Sequence, residues 1–316
     1  MTTRRNFLAT ATCAAAALAA PIRALAQKDS PFHISVITDE ISNDFDHACS
    51  VAANDFGLQW VEIRALWNQN IADLDSADVA RAQAILAKYN LRVTDIASPL
   101  FKVDWPGAPR SRFSSTQNFA TAGFDKQDDV LAACIALARQ FKTDKIRCFD
   151  FWRLEDPAPY RAAMDDKLRA AASAARKQGI ALVLENEQDC NTATAQEAVR
   201  LLAAVPGLGL NWDPANAVMN GELDAFPAGW ELLPKDRILH CHCKNATRNA
   251  TTGKVEWSPV DIGLIDWAAQ FRALKSIGYR NAVSLETHWR GAGTPEASSR
   301  ISWAGMKKAL AASATL

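Results

Sequence analysis

Three carboxylates and one imidazole stand near the C-terminal ends of strand-like runs. Glu185 ends Ala-Leu-Val-Leu-Glu, Asp213 ends Gly-Leu-Asn-Trp-Asp, Glu286 ends Ala-Val-Ser-Leu-Glu, and His242 lies in Arg-Ile-Leu-His-Cys-His-Cys-Lys. As a strand, that last run alternates: Ile238, His240, His242 and Lys244 face one way, Leu239, Cys241 and Cys243 the other. Two imidazoles and an ammonium are poor core material, because buried polar groups need partners. One His and three carboxylates at equivalent strand ends predict a site for one divalent cation. Such an oxygen-rich set favours Mn²⁺ or Mg²⁺, with Co²⁺ or Zn²⁺ also accommodated. Cys241 and Cys243 are not zinc ligands beside His242, since alternation turns both thiols to the opposite face.

Positioning four such residues requires a frame with equivalent strand ends. Strand-like runs cover 33–39, 60–65, 92–97, 145–151, 180–187, 208–213, 238–244 and 282–288. Helix-like segments alternate with them at 44–55, 75–89, 128–141, 159–178, 194–204, 224–233, 266–277 and 298–311. Eight strand-then-helix units predict an α/β fold, a single-domain (β/α)8 TIM barrel over residues 27–316. No G-x-G-x-x-G follows the first strand, which removes the usual argument for a dinucleotide-binding sheet. Two long connections, 98–126 and 245–265, fall at the C-terminal face, where barrels hold their active sites.

Residues 1–26 read separately. Thr3-Arg-Arg-Asn-Phe-Leu8 is a twin-arginine motif, followed by an alanine-rich run and Ala24-Leu-Ala26, which predicts export to the periplasm with cleavage after Ala26. The run is too short and alanine-rich to span a bilayer, so no membrane association is expected after cleavage. The 35 basic and 35 acidic residues balance; removing Arg4, Arg5 and Arg23 leaves a net charge of about −3. Nothing in that balance suggests a nucleic-acid partner. The six remaining cysteines form no disulfide framework, and most of them read as small buried apolar residues.

The motifs Glu185-Asn186, Asp213-Pro-Ala-Asn216, His242-Cys-Lys244 and Gly263-Leu-Ile-Asp-Trp267, then Gly278-Tyr279 and Ser284-Leu-Glu286, resemble the xylose isomerase-like superfamily of sugar isomerases and epimerases. The resemblance covers essentially the whole mature chain. It implies that Glu185, Asp213, His242 and Glu286 hold the family's catalytic metal and that Glu185 and Glu286 are its proton-shuttling pair. Lys244 matches the family lysine, with a catalytic role. Arg248 matches an arginine that contacts substrate in ketose 3-epimerases. Glu187 stands where many relatives carry His, and Asn216 where ketose 3-epimerases carry His; both are expected at the substrate. Strand parity adds Glu62, ending the second strand, and His288, ending the eighth, as substrate contacts, with Trp105, Trp152 and Trp257 as stacking candidates.

These residue types define the chemistry. A cation gripping a carbonyl and its neighbouring hydroxyl acidifies the C–H between them and stabilises an ene-diolate. A carboxylate on one side removes that proton and an acid on the other returns it. Return to the opposite face is epimerisation; return to the adjacent carbon is aldose–ketose isomerisation; a leaving group β to the carbonyl diverts the path to elimination. The leading expectation is an isomerase or epimerase of a non-phosphorylated sugar or keto-sugar, because export and the lack of a phosphate-cradling loop argue against sugar phosphates. The alternatives are a lyase cleaving 3-keto-glycosides after a partner sugar oxidoreductase, and a non-catalytic sugar-binding barrel. Oligomerisation is left open.

Overall fold

The computed structural model describes residues 30–114 and 122–314. The twin-arginine motif and its cleavage site lie outside the described residues. Each of the eight predicted runs forms a strand: β1 His33–Val36, β2 Trp60–Ile63, β3 Arg92–Ile96, β4 Lys145–Cys148, β5 Ala181–Glu185, β6 Gly209–Trp212, β7 Ile238–Cys243 and β8 Ala282–Leu285. They pair in parallel in the order β1-β8-β7-β6-β5-β4-β3-β2. A single parallel bridge between Ile37 and Glu62 joins β1 to β2 and closes the cylinder. The TIM barrel expected from the alternation is therefore present. Several strands stop two or three residues short of the predicted runs, because their last residues leave the ladder and turn towards the mouth.

Helices outside the strands make both strand faces buried. Leu182, Leu184, Leu210, Trp212, Cys241, Cys243, Val283 and Leu285 are all buried. The opposite parity is polar: Ser35, Glu62, Arg147, Asn211, His240, His242 and Ser284 are buried as well. A barrel interior is ordinarily filled by branched apolar side chains. This one carries a hydrogen-bonded charged network instead.

Local signals set the helix starts. Asp75 accepts from the N–H groups of Ala77 and Asp78 at the head of Ser76–Lys88, and Thr194 with Glu197 forms a capping box before Ala195–Ala204; each such cap contributes about 1 kcal/mol. One reading needs correction. The segment 224–233 is a wide turn, Ala225–Gly229, and one helical turn, Trp230–Leu232, broken at an extended Phe226; Pro227 disfavours helical backbone at the residue before it. A short helix, Pro214–Met219, follows β6, with Pro214 in its first turn and Asp213 as its cap. Within the connection 245–265, Asn245–Arg248 pairs antiparallel with Val255–Ser258. Its root is tight, for a Cβ on Gly263 would lie 2.2 Å from Asn245 Oδ1.

All six cysteines among the described residues are free and buried, as expected. No helix of the described residues is long and apolar enough to cross a membrane.

Loops after β4 and β5 are tied at Asp150, whose Oδ1 accepts from the Thr192 N–H (2.9 Å) and Oδ2 from the Thr192 hydroxyl (2.5 Å). Burial pushes this carboxyl up to about 7, against the pull of the Thr192 hydrogen bonds. A raised carboxyl holds its proton more tightly in the fold than in the unfolded chain, so its stabilising effect is full at low pH and fades as pH rises through about 7. Asp150→Asn is expected to gain stability relative to wild type, by a few kcal/mol, between about pH 4 and pH 8, measured by urea midpoints across that range.

Candidate active site

Glu185 is the last residue of β5, Asp213 and Glu286 directly follow β6 and β8, and His242 is the penultimate residue of β7. Ladder register brings them together: Glu185 pairs with Asn211, Asn211 with His240, and His242 with Ser284. His242 Nδ1 lies 3.2 Å from Glu185 Oε1, 3.1 Å from Glu286 Oε2 and 3.6 Å from Asp213 Oδ2. One donor atom from each of the four residues falls within 4.8 Å of all the others. All four side chains are buried.

Each member is oriented by a neighbour. Asn186 donates its amide to the Asp213 and Ala193 carbonyls and accepts from the Asp213 N–H, joining the ends of β5 and β6. Asp213 spends Oδ1 on capping the Asn216 N–H (2.9 Å), which turns Oδ2 to the cluster. Glu185 Oε1 accepts from Asn216 Nδ2 (3.1 Å) and Oε2 from Arg147 (3.0 Å). Glu286 Oε2 accepts from Lys244 Nζ (2.6 Å) and Oε1 from Arg64 (2.8 Å).

Electrostatics follow from these contacts. Burial alone would raise Glu185, but His242 and Arg147 outweigh it and hold the carboxyl down at about 2. Glu286 is likewise buried, yet Lys244, His288 and His242 keep it well below the usual carboxylate range. Burial opposes the charge on Lys244, and Asp213 and Glu286 overcome it, raising the ammonium. His242 is held far above an ordinary imidazole by Glu62, Glu185 and Glu286 despite its burial.

A cavity of about 530 Å³ opens above this floor, its walls including Glu286, Arg64, Arg147, Lys102, Glu187 and Trp257. His288 also lines it, 3.2 Å from Glu286. Glu187 reaches it beside Lys102, 3.5 Å away. Trp257 comes from the 245–258 hairpin and packs against Lys244, 5.2 Å from the ring centre, and edge-on to His288.

Several expected contacts lie elsewhere. Asn216 is fully buried with its amide committed to Glu185 and the Asn186 carbonyl, so it orients a carboxylate instead of meeting substrate. Glu62 is fully buried beneath the cluster between His240 and His242, because its parity points into the barrel and not over the rim. Arg248 is exposed on the hairpin opposite Val255 and does not line the cavity. Trp152 is buried against Phe149 and Cys190, and Trp105 packs on Phe124 and Phe151. Of the three tryptophans, Trp257 alone lines the cavity.

Arg64 and Arg147 were missed. Arg147 sits inside β4, and the inward-charge argument that singled out His242 applies to it. Arg64 follows β2 and bridges Asp39, Glu40 and Glu286 at 2.6–2.8 Å. Nothing in its local sequence distinguishes it from a surface charge.

The pattern of the xylose isomerase-like TIM barrel family matches residues 51–309. The chain belongs to that family. Solved structures with the same fold include a probable 3-DHS dehydratase, AsbF, from Bacillus anthracis (20% identity, TM-score 0.62, covering 87% of this chain and 98% of that one). A D-allulose 3-epimerase from Methylomonas sp. shares 19% identity and a TM-score of 0.64, over 88% of this chain and 96% of its own. A xylose isomerase-like TIM barrel protein from Mycobacterium smegmatis, in complex with magnesium, shares 17% and 0.61, over 91% and 99%. Curated proteins yield no match.

The residues of this xylose isomerase-like barrel fit a divalent cation. Asp213 Oδ2 is buried without a directed hydrogen bond; Lys244 Nζ stands 2.9 Å from it but outside hydrogen-bond geometry. The hard oxygen donors and one imidazole suit Mg²⁺ or Mn²⁺. Cation uptake requires an unprotonated His242 Nδ1, and the cation-free cluster holds that ring charged. Mn²⁺ affinity is therefore expected to rise with pH, about tenfold per unit while the ring remains protonated, with release of about one proton. Calorimetry in buffers of different ionisation enthalpy measures both.

Proposed function

We propose that the protein is a metal-dependent isomerase or epimerase of a non-phosphorylated sugar or keto-sugar, acting in the periplasm. The observation that carries this reading is the convergence of Glu185 and Glu286 on one His242 nitrogen, at 3.2 and 3.1 Å, from β5 and β8. A cation held by Glu185, Asp213, His242 and Glu286 would polarise a sugar carbonyl and its neighbouring hydroxyl, acidifying the C–H between them. Glu185, kept ionised by Arg147 and His242, is ready to take that proton. Glu286 approaches from another stave with the Lys244 ammonium 2.6 Å away, so a proton can be delivered to the other face of the carbon. Lys244 and Arg64 add fixed positive charge where negative charge develops on substrate oxygen. Trp257 supplies an apolar face above Lys244 on which a sugar ring can stack.

A second reading is a lyase that eliminates the aglycone of a 3-keto-glycoside. The cavity favours it: about 530 Å³ leaves room beyond one pyranose ring, and the same glutamates serve α-proton removal.

Incubation of the Mn²⁺-loaded protein with keto-sugars and glycosides in D₂O, followed by NMR, tests both. Deuterium at the carbon α to the carbonyl of an isomeric product supports the first reading; free aglycone with an unsaturated keto-sugar supports the second. Glu185→Gln is expected to cut turnover by about 10²- to 10⁴-fold. Wild-type turnover unchanged by chelation, or by Glu185→Gln in a folded protein, rejects the mechanism.

A further inference from the structure

We infer that Glu62 is a positioning residue for the cation site: it takes the Nε2–H of His242 and thereby aims the Nδ1 lone pair at Glu185, Asp213 and Glu286. The inference rests on the metal-dependent reading above and gives a role to a residue that no longer has one at the substrate.

Glu62 lies on β2, across the barrel from β7, and is fully buried. Its Oε1 is 3.1 Å from His242 Nε2, and its Oε2 is 2.9 Å from His240 Nε2. An ionised carboxylate only accepts, so both rings donate to it. His240 Nε2 is also 3.0 Å from the Ser284 hydroxyl, and Ser284 in turn meets Ser35. The carboxylate is thus clamped at both oxygens, its far side fixed by a ring perpendicular to His242.

A neutral imidazole carries one proton. With that proton held on Nε2 by Glu62, the lone pair must sit on Nδ1, the nitrogen that faces the three outer carboxylates. The opposite tautomer would set a lone pair against the Glu62 carboxylate and a proton against the cation. Asn211 lies on the same side of the ring, its Nδ2 2.9 Å from His242 Nε2 and its buried Oδ1 without a partner. Beside an Nε2–H ring the amide would be turned over, so that Oδ1 accepts together with Glu62. Outer carboxylates of this kind change metal affinity by about 10- to 100-fold.

Calorimetric titration of Mn²⁺ into the full mature chain, wild type and Glu62→Gln, tests the assignment. A 10- to 100-fold weaker site in a folded variant, verified by circular dichroism, is expected; equal affinities overturn it. Should Glu62→Gln fail to fold, the wild type answers by ¹⁵N NMR of labelled histidines with Mg²⁺ bound. A strongly downfield, exchange-protected Nε2–H proton on His242, the mark of donation to a carboxylate, is expected, and a purely structural role for Glu62 would not set it; an Nε2–H without that shift, or an Nε2 without a proton, overturns the inference. Wild type that takes up no Mn²⁺ rejects this inference and the proposed function together, whereas tight binding indifferent to Glu62→Gln rejects the positioning role alone.

Discussion

Negative charge buried inside an apolar-walled cylinder is the constraint the rest of this structure answers to. Glu40, Glu62, Asp95, Glu185, Asp213 and Glu286 are all buried, with Asp39 half-buried beside them, and an isolated carboxylate in such surroundings costs several kcal/mol. Three cations of the interior are therefore shared. Arg64 serves Asp39, Glu40 and Glu286, Lys244 serves Asp213 and Glu286, and His242 touches four acids. Removing any one of these cations leaves two or more acids facing each other at short range. The cluster is rich in oxygen and short of positive charge, which is the electrostatic condition a divalent ion relieves.

The backbone devices around that cluster work as a unit. Asn186 and Asp213 lock the ends of β5 and β6, and the cap at Pro214–Met219 divides the two oxygens of Asp213 between helix and cluster. The hairpin rooted at Gly263 follows the strand that bears His242 with only Lys244 between them, so Trp257 is carried over the floor by the same stave that builds it.

The barrel was legible in the sequence because parallel strands covered on both sides read as apolar runs, and because several helices stop at Gly or Asn before the next run, at Asn90, Gly179, Gly207 and Gly278. The four cluster residues were legible for a related reason: charges at the C-terminal ends of strands break an otherwise apolar pattern. What failed was depth. Period-two alternation tells which way Glu62 points but not whether it lies at the rim or a layer below, since that depends on strand stagger around the closed cylinder. Arg248 failed because motif spacing assumed a loop where Asn245–Arg248 extends as a hairpin arm and turns its end to solvent. Arg64 was invisible, as its three acids come from residues 39, 40 and 286, two of them near in sequence and one from the opposite end of the chain.

Glu62 on β2 grips His240 and His242 on β7, two staves that are not neighbours in the sheet. A strap thrown across the bore in this way makes the cylinder hard to split. A half-barrel holding only the first four staves would leave the carboxylate without its imidazole donors, and the other half would leave two rings without their acceptor. Those two hydrogen bonds exist only in the closed cylinder, so they favour folding of the whole barrel over either half alone.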